Sequence, residues 1–446
     1  MRLSVFLLLL LPIGLAAQGG PLERYLSQGL ASSQALKQQA FQAEKSLHAL
    51  REARGLFFPS VSLLGSYTLA QGGRGIAFPI GDLLNPVYST LNQLTQSEQF
   101  PQLDNFSEQL NPNNFHDFKF RLAQPLFNAD IYYNYKIKEE LVPLEALRVD
   151  QYRRELVRDI QLAYFQWLQA SQAPAIYREA LGLVAENIRV TERLIAQGMA
   201  LPGALARASS ERSRLEGLLI EAENQQRNAA AYLNFLINQP LDAPLEADSA
   251  FFALPALPEA PSAEPPREEL AQLRELQEVQ ALSLQLARSY RLPKLSAFVD
   301  LGNQGFDFAF EPESFYYLGG LSLEWNVFSG MRNRARVAQA ESDLASTRAQ
   351  QAYVSDQIRL QVSTSYYNLS SARQLCLSAE AQSASARRAF ADLEKRYREQ
   401  AATYLELLDA QTAYTQARLQ ESVARFQVWA RMAEYERAQA SYLFSE

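Results

Sequence analysis

From Arg332 to Glu399 the chain runs for 68 residues without a proline or a glycine. The stretch is rich in Ala, Gln, Arg, Glu and Leu, side chains that lose little on entering a helix. A single helix of that length would reach on the order of 100 Å, at about 1.5 Å per residue. A rod this long cannot be stabilised by covering a small sheet; it needs other long helices beside it. The residues that follow show a three–four spacing through Leu405, Leu408, Thr412, Thr415, Leu419, Ser422, Phe426 and Trp429, flanked by Leu407, Ala410, Tyr414, Ala417 and Ala424. Two seams on one helix suit packing between neighbours on both sides, as in a wall or tube, whereas a dimeric coiled coil would need one.

The same plan occurs twice. Ala53 to Gly65, centred on Pro59, is echoed by Ala287 to Val299, centred on Pro293. Gln124-Pro125-Leu126-Phe127 matches Trp325-Asn326-Val327-Phe328, and Arg193 to Gly198 matches Arg396 to Ala401. The offsets are 234, 201 and 203 positions, so the first copy holds about 33 extra residues between its paired strands. This predicts a duplicated helix–strand–strand–long helix–helix unit, with a first repeat over 18–238 and a second over 267–446. The joint, 239–266, holds seven prolines and cannot be helical. It reads as a linker or equatorial segment laid along the helices.

Four segments alternate at period two: about 59–70, 115–126, 293–303 and 315–328. The second sets Phe118, Phe120 and Leu122 against Asp117, Lys119 and Arg121, and the fourth sets Leu321, Leu323, Trp325 and Val327 against Ser322, Glu324 and Asn326. About 10 residues of such alternation fit a tilted strand with one face to lipid and one to water. Four strands cannot close alone, and open edges are not viable in hydrocarbon. Closure requires other copies of the chain; three would give 12 strands around an aqueous lumen. The stretch from Gln71 to Asn114, with Gly72-Gly73, Pro79, Pro86, Pro101 and Pro112, reads as a long exposed or lumen-folding loop.

Met1-Arg2, the apolar run Leu3 to Leu11, Pro12 and the small residues Gly14, Ala16 and Ala17 have the form of a signal peptide over 1–17. No later segment approaches a transmembrane helix, so any span of the exported chain is made of strands. A net charge of −7 disfavours nucleic acid, which needs a basic footprint. One cysteine, Cys376, expected as a buried or interface thiol, and two histidines, His48 and His116, leave no disulfide framework, metal spacing or nucleophile–base constellation. No catalytic, cofactor or metal site is expected, and no enzyme. Phe306, Phe308, Phe310, Phe315, Tyr316 and Tyr317 suit either an aromatic girdle at a bilayer edge or a loop cluster packed on its neighbour.

Taken in order, Phe58-Pro59-Ser60-Val61-Ser62-Leu63, Gln124-Pro125-Leu126-Phe127, Asn326-Val327-Phe328-Ser329-Gly330, Arg396-Tyr397 and Leu408-Asp409-Ala410-Gln411 resemble the TolC-like outer-membrane efflux proteins. The resemblance covers nearly the whole mature chain. It implies a mainly α protein with membrane β-structure: a homotrimer whose 12-stranded barrel, four strands per chain, sits in outer-membrane lipid and continues into a long α-helical barrel in the periplasm. Its far end would meet a periplasmic adaptor linked to an inner-membrane transporter, proton-driven or of ABC type. The expected role is a passive aqueous exit path for small molecules or proteins. A periplasmic coiled-coil scaffold without a pore is the alternative, and it leaves the alternating strands unexplained.

The resemblance also implies a periplasmic mouth. Its acidic constriction maps to Glu406 and Asp409, three apart on one helix face, and its adaptor-facing turns to Gly198, Gln400 and Ala401. Two departures stand out. Gln400-Ala401 replaces the usual glycine of the second turn, and Ala204 and Arg207 leave the first-half helix without matching carboxylates. Arg207 becomes a candidate to pair with Asp409 or Glu406 across a closed mouth.

Overall fold

Alternation at period two becomes a sheet, and the proline-poor runs become helices. The computed structural model describes residues 20–199, 201–261, 265–442 and 444, so the signal peptide expected over 1–17 lies outside the described residues. In chain order the elements are α1 (Pro21–Ser32), α2 (Gln34–Gly55), β1 (Ser60–Thr68), β2 (Gly75–Phe78), α3 (Ile80–Thr95), β3 (Phe106–Gln109), β4 (Phe115–Phe127), α4 (Ala129–Ala196), α5 (Pro202–Leu236), α6 (Glu268–Arg288), β5 (Lys294–Phe306), β6 (Phe315–Glu324), α7 (Arg332–Arg398) and α8 (Tyr404–Gln439). Residues His48–Glu139 and Gln280–Asp343 form one compact unit, and the remaining described residues form the other.

The first unit is built on an antiparallel sheet of order β1-β4-β5-β6. Its register gathers the apolar residues on one face: Leu63 lies opposite Phe120, Phe120 opposite Leu301, and Leu301 opposite Tyr317. All four are at least 57% exposed, so this row has no cover within the chain. The other face is polar and internally neutralised. Arg121 donates two hydrogen bonds of 2.7 Å to Asp300, its cross-strand partner. Lys119 and the Tyr316 hydroxyl each donate at 2.8 Å to Asp117. Among the described residues β1 pairs only with β4 and β6 only with β5, leaving both outer edges with unpaired backbone.

Two expectations change here. The last strand ends at Glu324 rather than reaching 328, although Trp325 and Val327 continue the alternation. Its partner β5 begins at Lys294, paired with Glu324, and Pro293 before it has no N–H to extend the ladder. The segment 71–114 is not a plain loop: β2 and β3 form their own two-stranded sheet, with α3 between them. Pro79 sits at the helix start and Pro86 is absorbed inside α3. The prolines punctuate this structure without abolishing it. Of the aromatic segment, Phe308 and Phe310 form a loop cluster: their rings lie against fully buried His116, whose Nε2 is 2.8 Å from Asn303 Oδ1.

The second unit is helical. On α4, Leu156, Ile160, Tyr164 and Leu168 recur every fourth residue and are buried with Leu233, Ile237 and Phe426. On α7 the buried line is Ile358, Val362, Ser365, Leu369, Ala372 and Cys376, a four–three spacing. Among the described residues the proline-rich joint joins no sheet. Contrary to the expectation that it cannot be helical, it makes one 3-10 turn, Ser249–Phe252, between its prolines. Elsewhere side chains satisfy much of its backbone. Tyr25 and Tyr164 hydroxyls bond the main chain of Glu246 and Asp248, and Asn234, Trp429 and Tyr435 donate to carbonyls of Ala243, Ala253 and Glu259. Burial pushes the Tyr164 hydroxyl up to about 12. Beside the joint, Glu269 accepts two bonds from Arg267, 2.9 and 2.6 Å, and one from Arg437, 2.7 Å.

Candidate functional site

Two reversals, α4 into α5 and α7 into α8, carry the residues expected at the mouth. Both long helices end in the same motif. Met199 N–H reaches back to Leu194 O at 2.8 Å, and Ala401 N–H to Arg396 O at 2.7 Å. The residue before each donor is left-handed: Gly198 with φ +72° and Gln400 with φ +64°. The structural equivalent of Gly198 is therefore Gln400 itself, one position earlier than the sequence match aligns. A glutamine here bears the steric cost that glycine avoids. Its Nε2 lies 3.0 Å from Met199 Sδ, joining the two turns.

The helices leaving the turns start differently. α5 has Pro202 in its first turn and no side-chain cap. α8 opens on a capping box: Glu406 N–H donates to Thr403 Oγ1 at 3.3 Å, and Glu406 Oε2 accepts from Thr403 N at 2.7 Å and Oγ1 at 2.8 Å. Those hydrogen bonds from Thr403 hold the Glu406 carboxyl below the usual range. Asp409, one turn on, is exposed. A groove between the turns is lined by Met199, Leu201, Arg207, Gln400, Tyr404 and Leu405 among others. Arg207 and Gln400 both line it, while Glu406 and Asp409 lie outside its lining. Among the described residues no ion pair within the chain joins Arg207 to either carboxylate.

Beneath the turns lies a buried polar ladder that the sequence reading missed. Asn187 donates at 2.8 Å to Gln411 Oε1, and Gln411 donates at 3.2 Å to Ala180 O. Thr191, one helical turn beyond Asn187, meets the Tyr397 hydroxyl at 2.9 Å. Phe390, Tyr397, Tyr404 and Leu407 pack around it, and burial pushes the Tyr404 hydroxyl up to about 12. The buried line of α8 here, Leu407, Gln411 and Thr415, passes between the two expected seams, and Leu405 is 49% exposed. A glutamine at four-residue spacing between Leu407 and Thr415 was the available signal.

Among the described residues no group of His, Cys, Asp and Glu could hold a metal, and no helix is long and apolar enough to cross a membrane. The arrangement offers exposed carboxylates, a cation and an apolar groove at the end of a helical wall, together with a sheet that is apolar on one face and polar on the other.

The solved structures similar to this chain have the same build. The outer-membrane channel OprN shares 16% identity at a TM-score of 0.73, covering 94% of this chain and 89% of its own. CusC shares 14% at 0.76, with coverage of 94% and 92%, and VceC from Vibrio cholerae 14% at 0.71, with 94% and 95%. No curated protein matches the sequence. The sequence pattern of the outer membrane efflux proteins matches residues 25–239 and 263–435, most of the chain. The protein is accordingly an efflux channel of the outer membrane that extends into the periplasm. The chain belongs to the outer membrane efflux protein family.

Proposed function

We propose that three copies of this chain close a 12-stranded barrel and an α-helical barrel around one continuous wet path, open to solutes delivered by an inner-membrane transporter through a periplasmic adaptor. The observation that carries this reading is the sheet. Among the described residues it has two unpaired edges, β1 and β6, an apolar row (Leu63, Phe120, Leu301, Tyr317) without cover within the chain, and a self-neutralised polar face. Pairing β6 of one copy with β1 of the next removes every edge, turns the apolar rows to lipid and the polar face inward. The path is passive, and energy enters through the inner-membrane partner.

In this assembly Glu406 and Asp409 line the periplasmic mouth. Three copies bring six carboxylates to one opening, which concentrates cations there. Arg207 of one copy faces these carboxylates when the mouth is closed, and the turns at Gly198, Gln400 and Ala401 meet the adaptor. The test is crosslinked mass together with conductance of protein extracted from outer membranes. The expected result is a trimer that passes ions through a planar bilayer. A water-soluble single chain without conductance would refute the reading.

A further inference from the structure

The excursion between β1 and β4 plays no part in the channel reading, and it carries a helix with one covered face and one bare face. Asn85 donates through Nδ2 to Leu103 O at 2.9 Å and accepts at Oδ1 from Leu103 N at 2.7 Å. Asn92, seven residues on, repeats the exchange with Phe100 at 2.8 and 3.1 Å. Two amides one heptad apart thus hold the returning chain along α3. The base of the excursion is fixed as well: Tyr67 donates to Asn114 Oδ1 at 3.0 Å, Ala70 N–H to Asn113 Oδ1 at 3.1 Å, and Asp307 N–H to Asn114 O at 2.7 Å. The bare face is therefore a built surface.

Leu83, Val87 and Leu94 form that face, 69%, 52% and 76% exposed. At about 100° per residue they cluster roughly opposite Asn85 and Asn92. Apolar side chains held out on a braced helix mark a contact surface. A helix lying on a lipid surface would carry Lys or Arg along its polar side. α3 has none: its one charge is Asp82, and the whole excursion sets Arg74 against Asp82, Glu98, Asp104 and Glu108. That balance is repelled by an anionic leaflet. The excursion instead springs from the end of β1, the strand whose open edge a second copy must pair.

We propose that the Leu83–Val87–Leu94 face of α3 docks on the α3 of a second copy, so that three such helices narrow the outer mouth. The proposal rests on the trimeric barrel reading above. Its test introduces Val87→Cys or Leu94→Cys singly, with the fully buried native Cys376 left in place. The variants are oxidised in intact outer membranes. Three thiols around one axis form a single bond, so at most about two-thirds of the chains should migrate as a linked pair. Glu98→Cys, away from the face, should stay single. Ion current through oxidised Leu94→Cys should fall and recover on reduction. Absence of linked pairs from both variants, while an amine crosslinker still yields trimers of each, overturns the docking and leaves the barrel reading standing. Absence of trimers removes both. Labelling of the two thiols by a bilayer-confined maleimide would make lipid the occupant and also overturn the proposal.

Discussion

The two turns at the helix ends differ in one residue type at one backbone conformation, which permits a clean perturbation. Gly198 and Gln400 are both left-handed and close the same hydrogen bond. A Cβ added at Gly198 meets nothing within 4 Å, so replacing it with alanine adds no collision beyond the residue's own backbone. The left-handed conformation costs an L-residue about 1–2 kcal/mol. Losing glycine's freedom in the unfolded chain returns about 0.4–1 kcal/mol. Gly198→Ala should therefore weaken the last turn of α4 by about 1 kcal/mol, or about fivefold in its opening equilibrium. The assay is hydrogen exchange of the peptide covering Leu194 to Met199 in the assembled protein, where local opening is read without global unfolding. Gln400→Gly should shift the peptide over Arg396 to Ala401 the other way and by less, because the contact of Gln400 with Met199 is lost. Unchanged exchange in Gly198→Ala would refute the reasoning, since no packing change could mask the backbone penalty.

Other outcomes follow from the same geometry. Gln411→Leu orphans the buried amide of Asn187 and should cost about 1–3 kcal/mol in denaturant stability, with the double variant Asn187→Leu and Gln411→Leu recovering part of it; equal, additive losses would show the two amides to be uncoupled. Burial would raise the Glu269 carboxyl, but hydrogen bonds from Arg267 and Arg437 outweigh it and hold it at about 2. Its contribution is therefore complete above the unfolded value near pH ~4.3 and is lost as pH falls toward 2. Acid titration of helix content should lose that step in Glu269→Gln, and an unchanged profile would remove Glu269 from the acid response. In planar bilayers, Glu406→Gln with Asp409→Asn should lower cation preference and divalent-cation block, whereas unchanged selectivity would take both residues out of the constriction. Thr403→Ala, by removing the cap that orients Glu406, should move selectivity in the same direction but less.

What the sequence disclosed depended on whether one strong requirement acted alone. The alternation of Phe118, Phe120 and Leu122 with Asp117, Lys119 and Arg121 was legible because the proposed barrel turns one face to lipid, and such a face tolerates few exceptions. The end of β6 was not: Trp325 and Val327 keep the alternation, and only the absence of a partner beyond Lys294 stops the ladder. The folded excursion was hidden because prolines were read as breakers, although Leu83, Leu84, Val87, Leu91 and Leu94 already recur at helical spacing. At the turns, Thr403-x-x-Glu406 was a visible capping signature, whereas a left-handed glutamine at 400 has no signature. In the proposed assembly Glu406 both caps α8 and lines the mouth. A carboxylate that completes a helix cap cannot swing freely toward Arg207 without giving up its bonds to Thr403. Asp409, exposed and outside the cap, carries no such cost. If Arg207 latches the mouth, then, its partner is Asp409, and Arg207→Ala and Asp409→Ala should raise resting conductance alike while Glu406→Ala does not. An equal effect of all three would place the latch on Glu406 as well and refute the distinction.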